Sequence, residues 1–446
     1  MKTLNGGILQ RLVLALVSMI VFIYSFEGIW GEKTSVPYKL TAAAGIICIL
    51  FCVFYKGMYR NIDTCVITVF IAISYISTIF NLGLSANFLT NRLFYAWMIF
   101  LGIYFIIQIV PDPMKIFSYY AMASTVGLSI LCLYILAHAS RFLLLENPWK
   151  DIFKGCIVGG RLCGISNANR MGVACASLVM ISIFGFLCSR TKSRWLYIIG
   201  TVIGWFCLGL TGCRTAMIGV SIIAFLYVFM LIYKNPGFIK TDNIVIRVVA
   251  YIAVLAIVFF VVLRSFVIPM YVYKFMMSIA AFITGCDYAD AKIASLIVRK
   301  ISDDDGTMSD RTLIWSACLE QCTKNLRHFL LGISPFSNEN IPNIYEGRHD
   351  LKTVHAHNMY LEILRRYGLF GFITWMSLVI GWCFIGIKIF FSKKVSILVK
   401  YLCACAAGIL IMGITEEVLF SNHMWCYTGI PFFLICGLCV RIRRKA

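Results

Sequence analysis

The chain has 446 residues, of which 61% are hydrophobic and only 13% charged, and a formal net charge of +20. A soluble globular protein carries about 25% charged residues, so an ordinary soluble domain is excluded. Nucleic-acid binding is excluded as well, because the positive charge sits in short segments between apolar runs and forms no basic face or recognition module.

Apolar runs of about 20 residues, the length that crosses a bilayer as a helix, recur along the whole chain. Twelve spans are predicted, at 10–29, 40–55, 62–81, 93–110, 116–137, 171–188, 195–211, 215–233, 244–268, 368–391, 397–415 and 424–440. The first run is followed by no small-residue cleavage site and reads as an anchor, not a removable signal. The expected fold is therefore an all-α integral membrane protein of twelve transmembrane helices, one polytopic domain over 1–446. Most of the 19 cysteines (Cys48, Cys52, Cys132, Cys188, Cys403 and Cys405 among them) lie inside these runs and behave as small hydrophobes. No CxxC pair or zinc spacing occurs.

Lys and Arg set the orientation. With the N-terminus inside, the inner segments 1–11, 56–63, 110–115, 189–195, 234–247, 388–400 and 441–446 hold 19 Lys and Arg against three acids. The short outer segments hold nine against six. Both termini are expected in the cytoplasm. Segment 269–357 breaks the pattern of short loops and carries ten of the chain's 20 acidic residues. A structureless loop of that length is unusual. It is expected to be a helical extracytoplasmic domain inserted between the ninth and tenth spans, with helices near 271–283, 288–301 and 310–326. Ser309 suits the N-cap of the last, and Leu313, Ala317, Cys318 and Gln321 fall along one side of it.

Charge near hydrocarbon is costly, so polar groups at the outer shoulder of the spans are the informative ones. Arg214 lies in the tight connection Leu210-Thr211-Gly212-Cys213-Arg214-Thr215. Its guanidinium suits a phosphate group and equally suits snorkelling to lipid headgroups. Arg161-Leu162-Cys163-Gly164-Ile165-Ser166-Asn167-Ala168-Asn169-Arg170 precedes the sixth span as a turn leading into a helix. Ser309-Asp310-Arg311 opens the predicted external helix with Trp315 one turn on, and Arg311 can contact a ligand or pair with Asp303, Asp304 and Asp305. Those three acids followed by Gly306 read as a solvated turn in preference to a metal site. Val354-His355-Ala356-His357-Asn358 leads into the tenth span. An imidazole at 357 can take a proton from a sugar hydroxyl near neutral pH, or can cap the helix. Glu362 falls at helical spacing from Arg365 and Arg366, which reads as structural pairing. Glu416 and Glu417 lie at a span edge beside His423, where a carboxylate can hold a basic partner or share a proton.

Together these segments resemble the O-antigen ligase and surface-polysaccharide polymerase superfamily. The resemblance rests on His357-Asn358 followed after nine residues by Gly368-x-x-Gly371. Arg161 to Asn169 resembles the family's Arg-Leu-x-Gly…Asn-x-Asn element, and Gly212-Cys213-Arg214-Thr215 its Ser-Arg-Thr element with Cys213 in place of Ser. Arg311…Trp315…Gly332 resembles its external Gly-Arg…Trp…Gly segment, with Asp310 in place of Gly. The resemblance covers roughly 160–440. It implies a GT-C-like, metal-independent, inverting membrane glycosyltransferase with no cofactor. Such enzymes act at the outer face of the bacterial plasma membrane. They move a glycan from an undecaprenyl-diphosphate carrier to a hydroxyl of a carbohydrate or lipid acceptor. Carried over, His357 is the catalytic base and Arg214, Arg311 and Arg161 are diphosphate ligands, with Asn358, Asn169, His355 and Glu416 supporting. Arg365 and Arg366 stand where the family often has an acid. A flippase and a chain-length regulator are the implied partners. Polymerase and ligase differ only in the acceptor, and both stay open.

A twelve-helix secondary transporter or lipid-glycan flippase is the competing reading. It requires ionisable residues at span midpoints and repeat halves with broken helices. The charges here gather at span ends instead.

Overall fold

The computed structural model describes residues 10–11, 13–14, 17, 35–55, 58–81, 92–144, 156–158, 160–164, 167–189, 193–235, 243–286, 289–294, 296, 307–337, 341, 355–419 and 425–445. The chain is almost wholly helical there, and it is a multi-pass membrane protein. The helices are α1 (Ser35–Leu50), α2 (Ile62–Phe80), α3 (Arg92–Ile109), α4 (Pro113–Leu144), α5 (Ala168–Cys188), α6 (Arg194–Thr211), α7 (Arg214–Lys234) and α8 (Ile244–Ser265). They continue as α9 (Ile268–Thr284), α10 (Ala289–Ala294), α11 (Thr307–Thr323), α12 (Leu326–Leu331), α13 (Met359–Phe391), α14 (Ile397–Met412) and α15 (Trp425–Lys445). A two-residue antiparallel ladder, β1 (Ile157–Val158) with β2 (Arg161–Leu162), precedes α5.

Seven described helices are long and apolar enough to cross a membrane, and three shorter apolar ones accompany them. The span predicted at 10–29 lies almost entirely outside the described residues, as do Asp303, Asp304, Asp305, Gly306 and His423. Of the helix predicted at 288–301, Ala289–Ala294 is described as helix, while 288, 295 and 297–301 lie outside the described residues. The tenth span, predicted from 368, is preceded by a further helical stretch from Met359 that meets it at a non-helical Gly368. The expected N-cap, Ser309, falls inside α11, which begins at Thr307. Thr307 and Ser309 both suit a helix start, so more than one start was compatible with the residue types.

Helix α5 is the centre of the bundle, packed by α4, α6, α7, α14 and α15. Lipid tails are as apolar as leucine, so helices in a bilayer associate through close packing of small residues. Helix α5 supplies Gly172, Ala174, Cys175, Ala176 and Ser177, all buried. A Cβ on Gly172 would stand 2.3 Å from Cys213 Cβ. The glycine is what lets the α6–α7 connection settle onto the first turns of α5.

Helix α13 is broken at Gly368, whose φ of 67° and ψ of −173° are not helical. The break frees the carbonyls of Arg365 and Arg366, and the chain after α12 takes them up: Ile333 N–H donates to Arg365 O at 3.0 Å and Ser334 N–H to Arg366 O at 3.2 Å. A Cβ at Gly368 would meet the Leu330 carbonyl at 2.4 Å, so only glycine admits this crossing. Below the break, Trp375 and Trp382 pack with Trp97 of α3 and with Phe432 and Phe433 of α15.

The two ends of the bundle differ. At one end α15 finishes in Arg441, Arg443, Arg444 and Lys445. Arg441 donates to the carbonyls of Ile107, Val110 and Pro111 at the end of α3, and Arg444 pairs with Asp63 at 2.8 Å. Cations there complement the carbonyl-rich helix terminus. At the other end the starts of α5, α7 and α13 meet the finish of α6 and α14.

Candidate active site

Glu416 lies in the turn that follows α14 and is fully buried. Its Oε1 accepts from Asn169 Nδ2 at 2.6 Å and from Arg311 Nη2 at 2.8 Å. Its Oε2 stands 3.3 Å from His357 Nδ1. Asn169, in the first turn of α5, accepts at Oδ1 from Arg161 Nη2 at 3.1 Å. Arg161, on β2, also donates from Nε to the Thr211 carbonyl at 2.7 Å, at the last residue of α6. One carboxylate thus joins residues from the hairpin, α5, α11 and the turn before α13.

A carboxylate only accepts hydrogen bonds, so a bond across this contact requires the tautomer with the proton on His357 Nδ1, which leaves the lone pair on Nε2. The side chain of His357 is 27% exposed, enough for a hydroxyl to reach it. Its φ is 47°, the left-handed region that residues other than glycine adopt when their surroundings hold them there. Asn358 is the N-cap of α13, with Oδ1 accepting from Tyr360 N and Leu361 N. The capping role weighed for position 357 therefore belongs to its neighbour.

Arg214 is the first residue of α7. Both of its neighbours touch the cluster: Cys213 Sγ approaches the Asn169 carbonyl at 3.8 Å, and Thr215 Oγ1 is 2.7 Å from Thr415 Oγ1, next to Glu416. Arg214 is therefore at the same end of the bundle as His357. The pairing of Arg311 with Asp303, Asp304 or Asp305 lies outside the described residues; the described partner is Glu416.

His355 lies beside His357 with ring centroids 4.1 Å apart and planes tilted by 55°, and its Nδ1 accepts the His357 backbone N–H at 3.3 Å. Glu417 Oε2 is 3.8 Å from the same nitrogen. That spacing fits an ion pair, yet burial drives both groups neutral. Burial, helped by His357, lowers His355 to about 3. Burial, helped by the charge of Glu362, raises Glu417 to about 8. Among the described residues Glu417 Oε1 has no hydrogen-bond partner. The neutral reading is preferred because neither group has water to stabilise its charge.

Arg365 and Arg366 do not line this cluster. Both are buried and bind Glu362, and Arg366 also donates to the carbonyls of Pro335 and Ser337. Among the described residues no group of three or more His, Cys, Asp or Glu is arranged to hold a metal ion. An apolar cavity of about 280 Å³ lies between α7, α13, α14 and α15, bounded by Phe229, Trp382, Phe390, Leu410 and Phe432. Among its lining residues only the thiols of Cys383, Cys403, Cys436 and Cys439 can titrate, and no His, Asp, Glu, Lys or Arg is among them. Its top is near the site, since Tyr360 donates to the Leu410 carbonyl at 3.0 Å.

Residues 199–376 match the O-antigen ligase family. That match supports the O-antigen ligase and polymerase superfamily. No curated protein matches the chain. The matched segment contains Arg214, Arg311, His355, His357 and Asn358, but not Arg161, Asn169 or Glu416. The fold brings those three in from outside it. Three contacts escaped sequence reasoning altogether: the Thr211 carbonyl under Arg161, the Trp315 indole on the loop of His357, and the bond from Ala356 to Glu362. All three involve backbone groups, which carry no signature in residue type.

Proposed function

We propose that this protein transfers a glycan from an undecaprenyl-diphosphate carrier to an acceptor hydroxyl in surface-polysaccharide synthesis. The reaction takes place at the outer face of the bacterial plasma membrane. The observation that carries the reading is the single carboxylate of Glu416, which contacts the candidate base and one candidate diphosphate ligand and reaches a second through Asn169. The orientation is supported by the Lys and Arg distribution. Lys393 and Lys394, between α13 and α14, and the basic end of α15 lie at the end of the bundle opposite His357.

In this reading the acceptor hydroxyl gives its proton to His357 Nε2 as its oxygen attacks the anomeric carbon. The bond from that carbon to the diphosphate oxygen breaks on the opposite face, and its electron pair leaves with the carrier diphosphate. Attack opposite to departure inverts the anomeric centre. The imidazolium formed at His357 is neutralised by Glu416. Charge developing on the diphosphate falls to Arg161, Arg214 and Arg311, with Asn169 holding Arg161 in place. Fixed guanidinium groups in a partly dry site stabilise such charge better than water, which must reorient. Asn358 supports the base by capping α13, and His355 by accepting its backbone N–H. Polymerase and ligase activities would share all of these steps.

The test is transfer by purified protein in lipid vesicles, given lipid-diphosphate-linked glycan and acceptor. His357→Ala is expected to lower kcat by about 10²–10⁴, the usual contribution of a positioned base, with protein level and donor binding retained. Full activity in that variant would remove the assignment.

A further inference from the structure

The backbone that leads to His357 is gripped at both polar groups of one residue. Ala356 is fully buried. Its N–H donates to Glu362 Oε2 at 3.0 Å, and its carbonyl accepts from Trp315 Nε1 at 2.9 Å. Further on, Met359 N–H donates to the Gly413 carbonyl at 2.8 Å, tying the start of α13 to the turn that holds Glu416. Glu362 cannot drift from this position. Arg365 donates to it from Nη2 at 2.6 Å and from Nε at 3.1 Å, and Arg366 donates to its Oε1. Helical spacing accounts for the three charged side chains meeting, but not for the carboxylate turning back to the peptide of Ala356.

We propose that Trp315 and Glu362 are positioning residues that lock the backbone of Ala356, the residue before His357, so that the left-handed backbone of His357 aims Nδ1 at Glu416. The inference rests on the transferase reading for its kinetic consequence and on the geometry alone for its structural one. Trp315 lies one turn along α11 from Arg311. The helix that offers a guanidinium to the donor therefore also steadies the base. Displacement of α11 would misplace both together, which couples donor engagement to placement of the proton acceptor.

Replacing Glu362 risks unfolding, because Arg365 and Arg366 would be left buried beside a weaker partner. Trp315→Phe keeps a ring in the same space and deletes only the N–H donor, so it is the decisive variant. Two measurements are made on the full-length protein in vesicles: amide hydrogen exchange over residues 355–359, and kcat and KM for glycan transfer. Exchange there is expected to rise while the rest of α13 keeps its protection. The kcat is expected to fall roughly 10- to 100-fold with donor KM nearly unchanged, the range expected for a reacting group displaced by up to about 1 Å. Unchanged exchange over 355–359 overturns the lock. Raised exchange with unchanged kcat overturns its role in positioning. If exchange rises but the unsubstituted protein transfers no glycan, the lock stands and the transferase reading falls.

Discussion

Changing Glu416 to Gln keeps the side chain's shape and removes its charge. The consequence follows from the separation of 3.3 Å between His357 Nδ1 and Glu416 Oε2. When the imidazole takes the acceptor proton, opposite unit charges face each other at that distance. With an effective dielectric constant of about 20, their attraction is about 5 kcal/mol. The amide dipole recovers part of this, and partial exposure of His357 screens more of it. A net loss of about 2–4 kcal/mol of transition-state stabilisation is expected, which is roughly 30- to 1000-fold in kcat. The amide can also turn its NH₂ towards Nδ1 and so favour the other tautomer, which deepens the loss. The assay is glycan transfer under saturating donor and acceptor, with thermal unfolding followed in parallel so that misfolding is separated from chemistry. A kcat within about twofold of the unsubstituted protein, in a folded variant, would refute the idea that Glu416 holds the charge of the base.

Two further outcomes are expected. Arg214→Ala should weaken donor binding roughly 10- to 150-fold, the worth of about 1.5–3 kcal/mol for hydrogen bonds to a charged group; Arg214→Lys, which keeps the charge, should lose less, and an Arg214→Ala variant that binds lipid-diphosphate-linked glycan as tightly as the unsubstituted protein would argue against phosphate contact at this position. Glu417, raised from 4.5 to about 8 in the folded chain, binds more protons folded than unfolded between those values, so it makes stability fall as pH rises through that window. His355, lowered from 6.5 to about 3, binds fewer protons when folded and makes stability rise with pH between 3 and 6.5. The two oppose each other where the windows overlap, leaving a net loss of stability above pH 6.5. Glu417→Gln should flatten that upper limb when unfolding temperature is measured against pH, and an unaltered limb would mean that Glu417 is ionised in the fold.

The positions of the apolar helices were legible because hydropathy alone specifies them. Their joins were less so. Met359 to Tyr367 continues the tenth span as helix because Asn358 caps it and the Gly368 break is braced by the chain at Ile333 and Ser334. The bracing comes from residues that local periodicity cannot see. In the site, His357 and Arg311 could be singled out because charged groups beside apolar runs are conspicuous. Residue type alone does not separate Glu416, expected in the site, from Glu417, since they are adjacent and identical. The fold separates them: one carboxylate receives Arg311, Asn169 and His357, while the other faces a neutral imidazole and lacks a hydrogen-bond donor at Oε1 among the described residues. Glu362 illustrates the remaining gap. Its spacing to Arg365 and Arg366 announces a salt bridge, but nothing in the sequence announces the peptide it also holds.

Before any ligand arrives, the guanidinium of Arg311 already has an anion in Glu416. In the proposed reaction a lone phosphate or lipid headgroup would have to compete with that resident carboxylate for a single cation. A diphosphate bridging several arginines can outbid it by chelation. In that reaction the glutamate that stabilises the spent base would also act as a filter against the single phosphates that crowd a membrane surface.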